Sequence, residues 1–489
     1  MLRNGFYNVA AGVVRMGMAL LTIPLLIHFI GIEEYGLWAL VSAVVGLVAL
    51  AEAGLSTATT VFVSQDLGRD DRAGLSQTLT VTLGAMLILA TLTAISLWFN
   101  ADAIVNWFPK LAQPQQIAAI RSLQIGGFVV WARLLQQVLI GVEQAYQRYG
   151  LLNLLNTAQW TLMSLGLGVI AWQGGHVVAL MQWQAIVSSA SLVSHAWVVR
   201  SLIQPANLCL SWNSTKGSLV VRYSLMTWLT SLGGALFARG DRLIVGSLLG
   251  SQVLGVYAAI TDITGTINGL SALPVQPLLP TLSQLIVQKD ANRVELQRRV
   301  KQALEINGFI ALGLGAALFM LAPLIMQLMV ASCTSNENIL AFRLATIIYS
   351  FYSVNAVGYY VLFSVDGLKQ SMAIHLISGV LALLLILIGS HFFGLMGAML
   401  GNSGYLGVWL LTIEAMKCLN IAARQWLKWL RFPLIWFLGT TIIGFLFANQ
   451  MQFLFCITLL QTGILLKWFI DSQPQSIRSL WHQFNVNRS

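Results

Sequence analysis

The sequence predicts an all-α, polytopic membrane protein of about fourteen transmembrane helices, arranged as two six-helix bundles and a C-terminal helix pair. Three observations predict it. Of 489 residues, 57% are hydrophobic and 9% charged, against about 25% charged in an ordinary soluble domain, so a soluble fold would lack charge to cover its surface. The apolar residues run in stretches of about 20, the length that crosses ~30 Å of hydrocarbon. A segment near the N-terminus also recurs, in register, 219 residues further on.

Hydropathy along the chain places the spans near 6–31, 37–63, 75–99, 116–140, 150–172, 177–199, 219–249, 254–283, 303–330, 339–364, 371–393, 395–417, 432–448 and 452–470. Arg3 and Arg15 precede and interrupt the first apolar stretch with no clear cleavage site, so it reads as a first span rather than a signal peptide. The connections are short and leave no segment for a soluble catalytic or nucleotide-binding domain. The expected organisation is an N-terminal bundle at 1–200, a linker at 201–217, a second bundle at 218–419, and a helix pair with a tail at 420–489.

The net charge of +10 would point to nucleic acid in a soluble protein. In a membrane chain it marks orientation. With the N-terminus in the cytoplasm, 20 of the 27 basic residues fall on the inner side and one, Lys110, on the outer side. That asymmetry is the positive-inside pattern, and it puts both termini in the cytoplasm after an even number of spans. Four scattered cysteines, with no paired spacing and no histidine beside them, support neither a disulfide framework nor a zinc site.

The repeat pairs Ile30 to Asp71 with Leu249 to Asp290 without gaps. Eight of 42 positions are identical, including Gly31/Gly250, Gly36/Gly255, Ala39/Ala258 and Gly46/Gly265, where roughly three are expected by chance. Each copy opens on Gly-x-x-x-x-Gly-x-aromatic-Ala, with Trp38 and Tyr257 at the aromatic position. The copies fall on the second and eighth spans, six apart, so both cross the membrane in one direction, which implies parallel bundles about an axis along the membrane normal and a cavity between them. The local alternative is that Gly31 and Gly36 only serve a tight turn.

The run Ile23 to Trp38 (IPLLIHFIGIEEYGLW), the following Glu52-Ala53-Gly54-Leu55-Ser56, and Asp241-Arg242-Leu243-Ile244-Val245-Gly246 with Gly250, Gly255 and Tyr257 resemble the bacterial polysaccharide flippases. These Wzx-like O-antigen transporters belong to the superfamily of multidrug, oligosaccharidyl-lipid and polysaccharide exporters. Glu52 stands where the family more often has aspartate, and many members have twelve spans. The resemblance implies a MATE-like fold and a flippase, not an enzyme, with no cofactor. It implies transfer of a polyprenyl-pyrophosphate-linked oligosaccharide across the bacterial inner membrane for O-antigen, lipopolysaccharide or capsule. A polysaccharide polymerase and a chain-length regulator are the implied protein partners.

Charges in hydrocarbon are costly, so embedded ones face a cavity or a partner. Six arginines fall within the spans: Arg15, Arg121, Arg133, Arg239, Arg242 and Arg343. Arg239 and Arg242, three residues apart, share a helical face, and guanidinium forks suit phosphate oxygens. These six are the candidate substrate-binding residues, for an anionic head group. The other reading is that each locks helices together by pairing with an embedded acid. Glu52, Asp241, Asp262 and Glu414 are the candidates for that pairing or for holding a coupling cation or proton.

The histidines read as packing residues. Trp98, Trp107, Trp212, Trp426 and Trp429 read as interfacial anchors, with Trp131, Trp160 and Trp228 deeper. Pro274, Pro277 and Pro280, on one face of the eighth span, predict a bend that serves either as a hinge or as a static kink. No Gly-x-x-x-x-Gly-Lys-Ser/Thr loop occurs, so no nucleotide is expected. Two other activities remain open: cation-coupled drug export, which an arginine excess disfavours, and a membrane-embedded glycosyltransferase or ligase, for which the outer loops are short.

Overall fold

The computed structural model describes residues 2–52, 54–203, 211–276, 278, 282, 293–329, 335–364, 368–447 and 451–472. Within these, the side chains at 2–17, 19–20, 149, 226–227, 229–238, 293, 368, 451–453, 455, 465–466 and 468–472 are left aside. Every regular element among the described residues is helical. The α-helices in chain order are α1 (Leu2–Val48), α2 (Leu55–Gly68), α3 (Arg72–Val105), α4 (Gln113–Ala145), α5 (Tyr149–Trp172), α6 (Val177–Ile203), α7 (Ser214–Leu249) and α8 (Ser251–Ala272). They continue as α9 (Arg293–Met320), α10 (Ala322–Met329), α11 (Asn336–Ser353), α12 (Ala356–Ser364), α13 (Leu368–Gly401), α14 (Trp409–Cys418), α15 (Ala423–Leu446) and α16 (Met451–Ser472).

Among the described residues, nine helical runs are long and apolar enough to cross a membrane. Two of them, Leu21–Gly68 and Lys369–Cys418, hold 48 and 50 residues, far more than the ~20 one crossing needs. Each is divided by a glycine with positive φ, Gly31 at 83° and Gly394 at 58°. Divided there, and counting α7, α8 and α16, the described residues form fourteen rods, one for each expected span. Large apolar side chains point outward along the rods, among them Leu92 (60% exposed) and Phe99 (79%) on α3 and Ile377 (66%) on α13. Lipid, not water, is the solvent that tolerates such a surface.

Several rods unwind within the membrane. A 3-10 turn at Ala49–Glu52 and a left-handed Gly54 (φ 73°) interrupt the second span. The eighth leaves α-helix at Ala272 for a 3-10 turn, Leu273–Val275, with Pro274 in its first turn. These two breaks fall at matching positions of the repeat, Ala53 corresponding to Ala272. Pro274 thus ends α8 rather than bending a continuous helix, while Pro277 and Pro280 lie outside the described residues. A third unwound stretch, Asn402–Val408, divides the twelfth span.

The helices pack as two units. The first comprises 1–259 and 375–404, the second 260–374 and 405–489. In the first, α4 is central, packed against α1, α2, α3 and α6, with Val63, Leu79, Leu139, Val142 and Val199 in the core near the helix ends. In the second, α9 packs against α11, α15 and α16, around Leu304, Leu312, Val357, Leu430 and Phe437. Trp426 belongs to this core, 5% exposed, and stacks near Trp409. It is a packing residue, not the interfacial anchor expected from its place near a span end, whereas Trp98, Trp107 and Trp212 are 52%, 77% and 70% exposed.

The repeat is visible in the backbone. Gly31 (φ 83°, ψ 161°) and Gly250 (φ 86°, ψ 178°) adopt one conformation at equivalent positions, one that a side chain would strain. Five residues on, Gly36 meets the backbone of Ser251 and Gly255, while Gly255 meets that of Ile32 and Gly36. Ser251 is the repeat partner of Ile32, so each contact is the other with the copies exchanged. A two-fold axis produces such a pairing, and a tight turn alone does not.

Candidate functional site

The site grows from the break in the second span. Unwinding at 49–54 frees backbone groups that need partners in a membrane, and the indole Nε1 of Trp228 on α7 donates to the Leu50 carbonyl at 2.6 Å. The Ser56 amide donates to Glu52 Oε1 at 3.2 Å, so Glu52 caps the helix that restarts after the break. Just before the break, Gly46 lacks the Cβ that would occupy the place of the Arg239 guanidinium. Arg239 reaches across α1 there and donates through Nη1 to the Ser42 carbonyl at 3.3 Å. From α4, half-buried Arg133 lies within electrostatic range of Arg239.

One turn along α7, Arg242 is half-buried and Asp241 buried. Asp241 accepts from its neighbour's amide, Arg242 N, at 2.8 Å and from the Tyr257 hydroxyl at 2.9 Å. Asn402 donates to the Tyr257 oxygen at 3.1 Å and to the Ala398 carbonyl at 3.1 Å. A buried carboxylate is tolerated when donors satisfy it, and here tyrosine and backbone do so.

Arg121 is exposed on α4, and Arg15 belongs to the side chains left aside. In the second unit, Arg343 is 4% exposed, with its guanidinium carbon 5.2 Å from the Phe319 ring centroid and 5.5 Å from that of Phe445. Its Nε and Nη2 have no hydrogen-bond partner. Glu414 pairs with Lys417 at 2.7 Å, three residues away and largely exposed, and half-buried Asp262 sits on α8. Among the described residues, no group of three His, Cys, Asp or Glu side chains is placed to hold a metal.

Two clusters are absent from the sequence reading. Where α2, α3 and α7 meet, Lys216 Nζ donates to both Asp66 oxygens, at 2.6 and 2.7 Å, and to the Gly74 carbonyl at 2.9 Å, while Thr78 donates to Asp66 at 2.6 Å. Asp66 also lines a cavity of about 210 Å³ with Asp70, Asp71, Arg72 and Tyr146, and burial raises the Tyr146 phenol above its ordinary range. Deeper, the imidazole of His195 on α6 meets Glu143 on α4 at 2.7 Å, both fully buried. The sequence signal was present in part: Gln184, Ser188, Ser191 and His195 recur at helical spacing along α6.

Comparison with known proteins agrees with this architecture. Residues 1–286 match the family model described as polysaccharide biosynthesis protein. No curated protein matches the sequence. Among solved structures, the lipid II flippase MurJ, inward closed, superimposes with a TM-score of 0.74 at 15% identity, covering 97% of this chain and 100% of that one. An inward-facing multidrug resistance MATE family transporter of the MOP superfamily gives 0.69 at 16%, over 84% and 98%. A MOP superfamily transporter from Pyrococcus furiosus gives 0.53 at 15%, over 85% and 95%. The fold is MATE-like, and with the family model spanning more than half its length, the chain belongs to the polysaccharide biosynthesis protein family.

Proposed function

We propose that the protein is a flippase for a polyprenyl-pyrophosphate-linked oligosaccharide repeat unit in the bacterial inner membrane, with both termini cytoplasmic. The observation that carries this reading is Arg239, seated where Gly46 has no Cβ beside a broken helix, with Arg133 within electrostatic range of it. Two guanidiniums within electrostatic range of each other repel, and a pyrophosphate bound there relieves the repulsion while accepting bidentate bonds. Arg242 extends the cationic face by one turn. The lipid tail of such a substrate stays in the bilayer, so the protein need only shelter the head group.

In this reading the repeat halves, 1–200 and 218–419, are the moving bodies, joined by 201–217, and 420–489 is an appendage. Glycine at 46 is a requirement of the site, because any side chain there displaces Arg239. Product would pass to a polysaccharide polymerase and chain-length regulator for O-antigen, capsule or exopolysaccharide synthesis.

The test is surface-polysaccharide complementation with Arg239→Ala/Arg242→Ala, with membrane expression measured alongside. Each lost charge-assisted contact is worth about 1.5–3 kcal/mol, roughly tenfold or more in function, so surface polysaccharide should fall to near background. Gly46→Leu should fall with it. A correctly inserted double variant with full activity overturns the proposal, and a gain of drug resistance on expression would assign the protein to drug export instead.

A further inference from the structure

We propose that Glu143 and His195 form a proton-binding site within the packing of α4 and α6, reached along a file of buried polar side chains, and that proton exchange there is coupled to transport. Coupling rests on the flippase reading above, whereas proton binding does not. The pair is fully buried, with Nδ1 of His195 2.7 Å from Oε1 of Glu143. The outer atoms of the pair, Glu143 Oε2 and His195 Nε2, have no hydrogen-bond partner.

Charge decides the proton count. A carboxylate beside a neutral imidazole leaves one negative charge buried, which low dielectric penalises heavily. One added proton makes the pair neutral overall, as carboxylate with imidazolium or as carboxyl with imidazole, and it belongs to the pair rather than to either residue. Releasing that proton restores the buried charge. Release therefore requires a change in the surroundings, which is the link between protonation and conformation that coupling needs.

Further buried polar side chains line the contact of α4 with α6. α4 and α6 run parallel, with Gln136 opposite Ser191 and Glu143 opposite His195. Gln136 Nε2 donates to Ser191 Oγ at 3.0 Å and to Gln159 Oε1 at 2.9 Å, and Ser191 donates to Gln159 Oε1 at 2.9 Å. Gln184, Ser188, Ser191 and His195 occupy one face of α6, each less than one-tenth exposed. Ser122 Oγ, Gln184 Oε1 and Ser188 Oγ join the two outer atoms of the pair as buried atoms without partners. An apolar helix contact would not leave five such atoms on two packed helices, because buried polar groups are ordinarily paired with protein or with water. One turn beyond Glu143, Tyr146 lines the cavity that also holds Asp66, Asp70 and Asp71, an acidic mouth at the membrane face.

The other titratable groups on the packed helices are engaged or sit at the ends. Asp66 on α2 is held by Lys216 and Thr78; Asp71 and Arg72 begin α3; Arg148 precedes α5; and Arg200 lies in the last turn of α6. Glu34 on α1 stands near His176, just before α6. Arg133 on α4 is ten residues from Glu143, toward Arg239. None of these side chains bonds to the Glu143 or His195 side chain; Arg148 meets Glu143 only through the backbone, its amide donating to the Glu143 carbonyl at 3.0 Å.

The experiment is NMR of the full-length protein in nanodiscs with isotope-labelled histidine rings, the other five histidines replaced by glutamine so that His195 alone reports. The ring signals should respond to pH between about pH 5 and about pH 9 in the wild type, and Glu143→Gln should alter that response, because it removes the partner that shares the proton. A ring fixed in one state across the range overturns the site whatever the substrate is. In proteoliposomes carrying a fluorescent polyprenyl-pyrophosphate sugar, an imposed pH gradient should accelerate flipping by the wild type and not by E143Q. Equal acceleration in E143Q overturns the coupling. A wild type that titrates at His195 yet moves no such lipid supports the site and counts against the proposed substrate alone.

Discussion

Single side chains reveal how this protein manages charge at a membrane. Lys216 is the clearest case, with one ammonium serving two carboxylate oxygens and a carbonyl, its side chain 17% exposed against 5% for Asp66. Removing the lysine leaves a nearly buried carboxylate with Thr78 alone, and an abandoned buried acceptor costs about 1–3 kcal/mol, more when it is charged. Lys216→Met should therefore lower the thermal unfolding midpoint of the detergent-solubilised protein by several degrees, and unchanged melting would show the pair to be inert. Arg343 solves the same problem with aromatic faces. Its cation lies within ~6 Å of two rings, the range in which the ring quadrupole attracts it.

Among the elements, the crossing of the second rod with α8 is a tight constraint. A Cβ on either Gly36 or Gly255 would fall within 3.0 Å of the partner's backbone, and backbone, unlike a side-chain tip, cannot move aside. Gly36→Val and Gly255→Val are each expected to abolish recovery of monodisperse protein by size-exclusion chromatography. Gly84→Ala on α3, where a Cβ meets open space, should cost nothing and gain slightly in helix propensity. Normal recovery of both valine variants would mean that the crossing is looser than drawn. The mid-span breaks obey a similar logic: Trp228 satisfies the Leu50 carbonyl, so the unwound turn at 49–52 is held by α7 as well as by its own chain.

For the whole molecule, an even number of spans predicts that the chain ends on the face on which it starts. With 20 basic residues assigned to that face and Lys110 alone to the other, the positive-inside rule predicts that this face is cytoplasmic. Green fluorescent protein fused after Ser489 should fluoresce, and alkaline phosphatase fused after Lys110 should be active, because each reporter works on only one side of the membrane. The reverse pattern at either fusion would overturn the orientation. The exchange of Ile32 with Ser251 and of Gly36 with Gly255 ties this topology to a duplication, since a shift of six rods, an even number, lets the second copy cross in the direction of the first.

Class, span number and repeat were legible in the sequence because each depends on local runs of about twenty residues or on register along one chain. Hydropathy alone finds a rod, and a shift of 219 finds its double. The breaks at 49–54 and 402–408 were not legible, since one glycine or asparagine in an apolar run leaves its hydropathy unchanged. The partners of the charges were not legible either. Glu143 fell past the end of its expected span at 140 and was not counted inside, whereas α4 continues to Ala145 and buries it against His195. Asp241 accepts from a tyrosine, and Glu414 pairs with the lysine one turn along its own helix. Which helices cross the membrane is set by transfer from water to lipid, residue by residue. Which charges meet inside it is set by the faces those helices turn toward each other, and only the packed structure decides that.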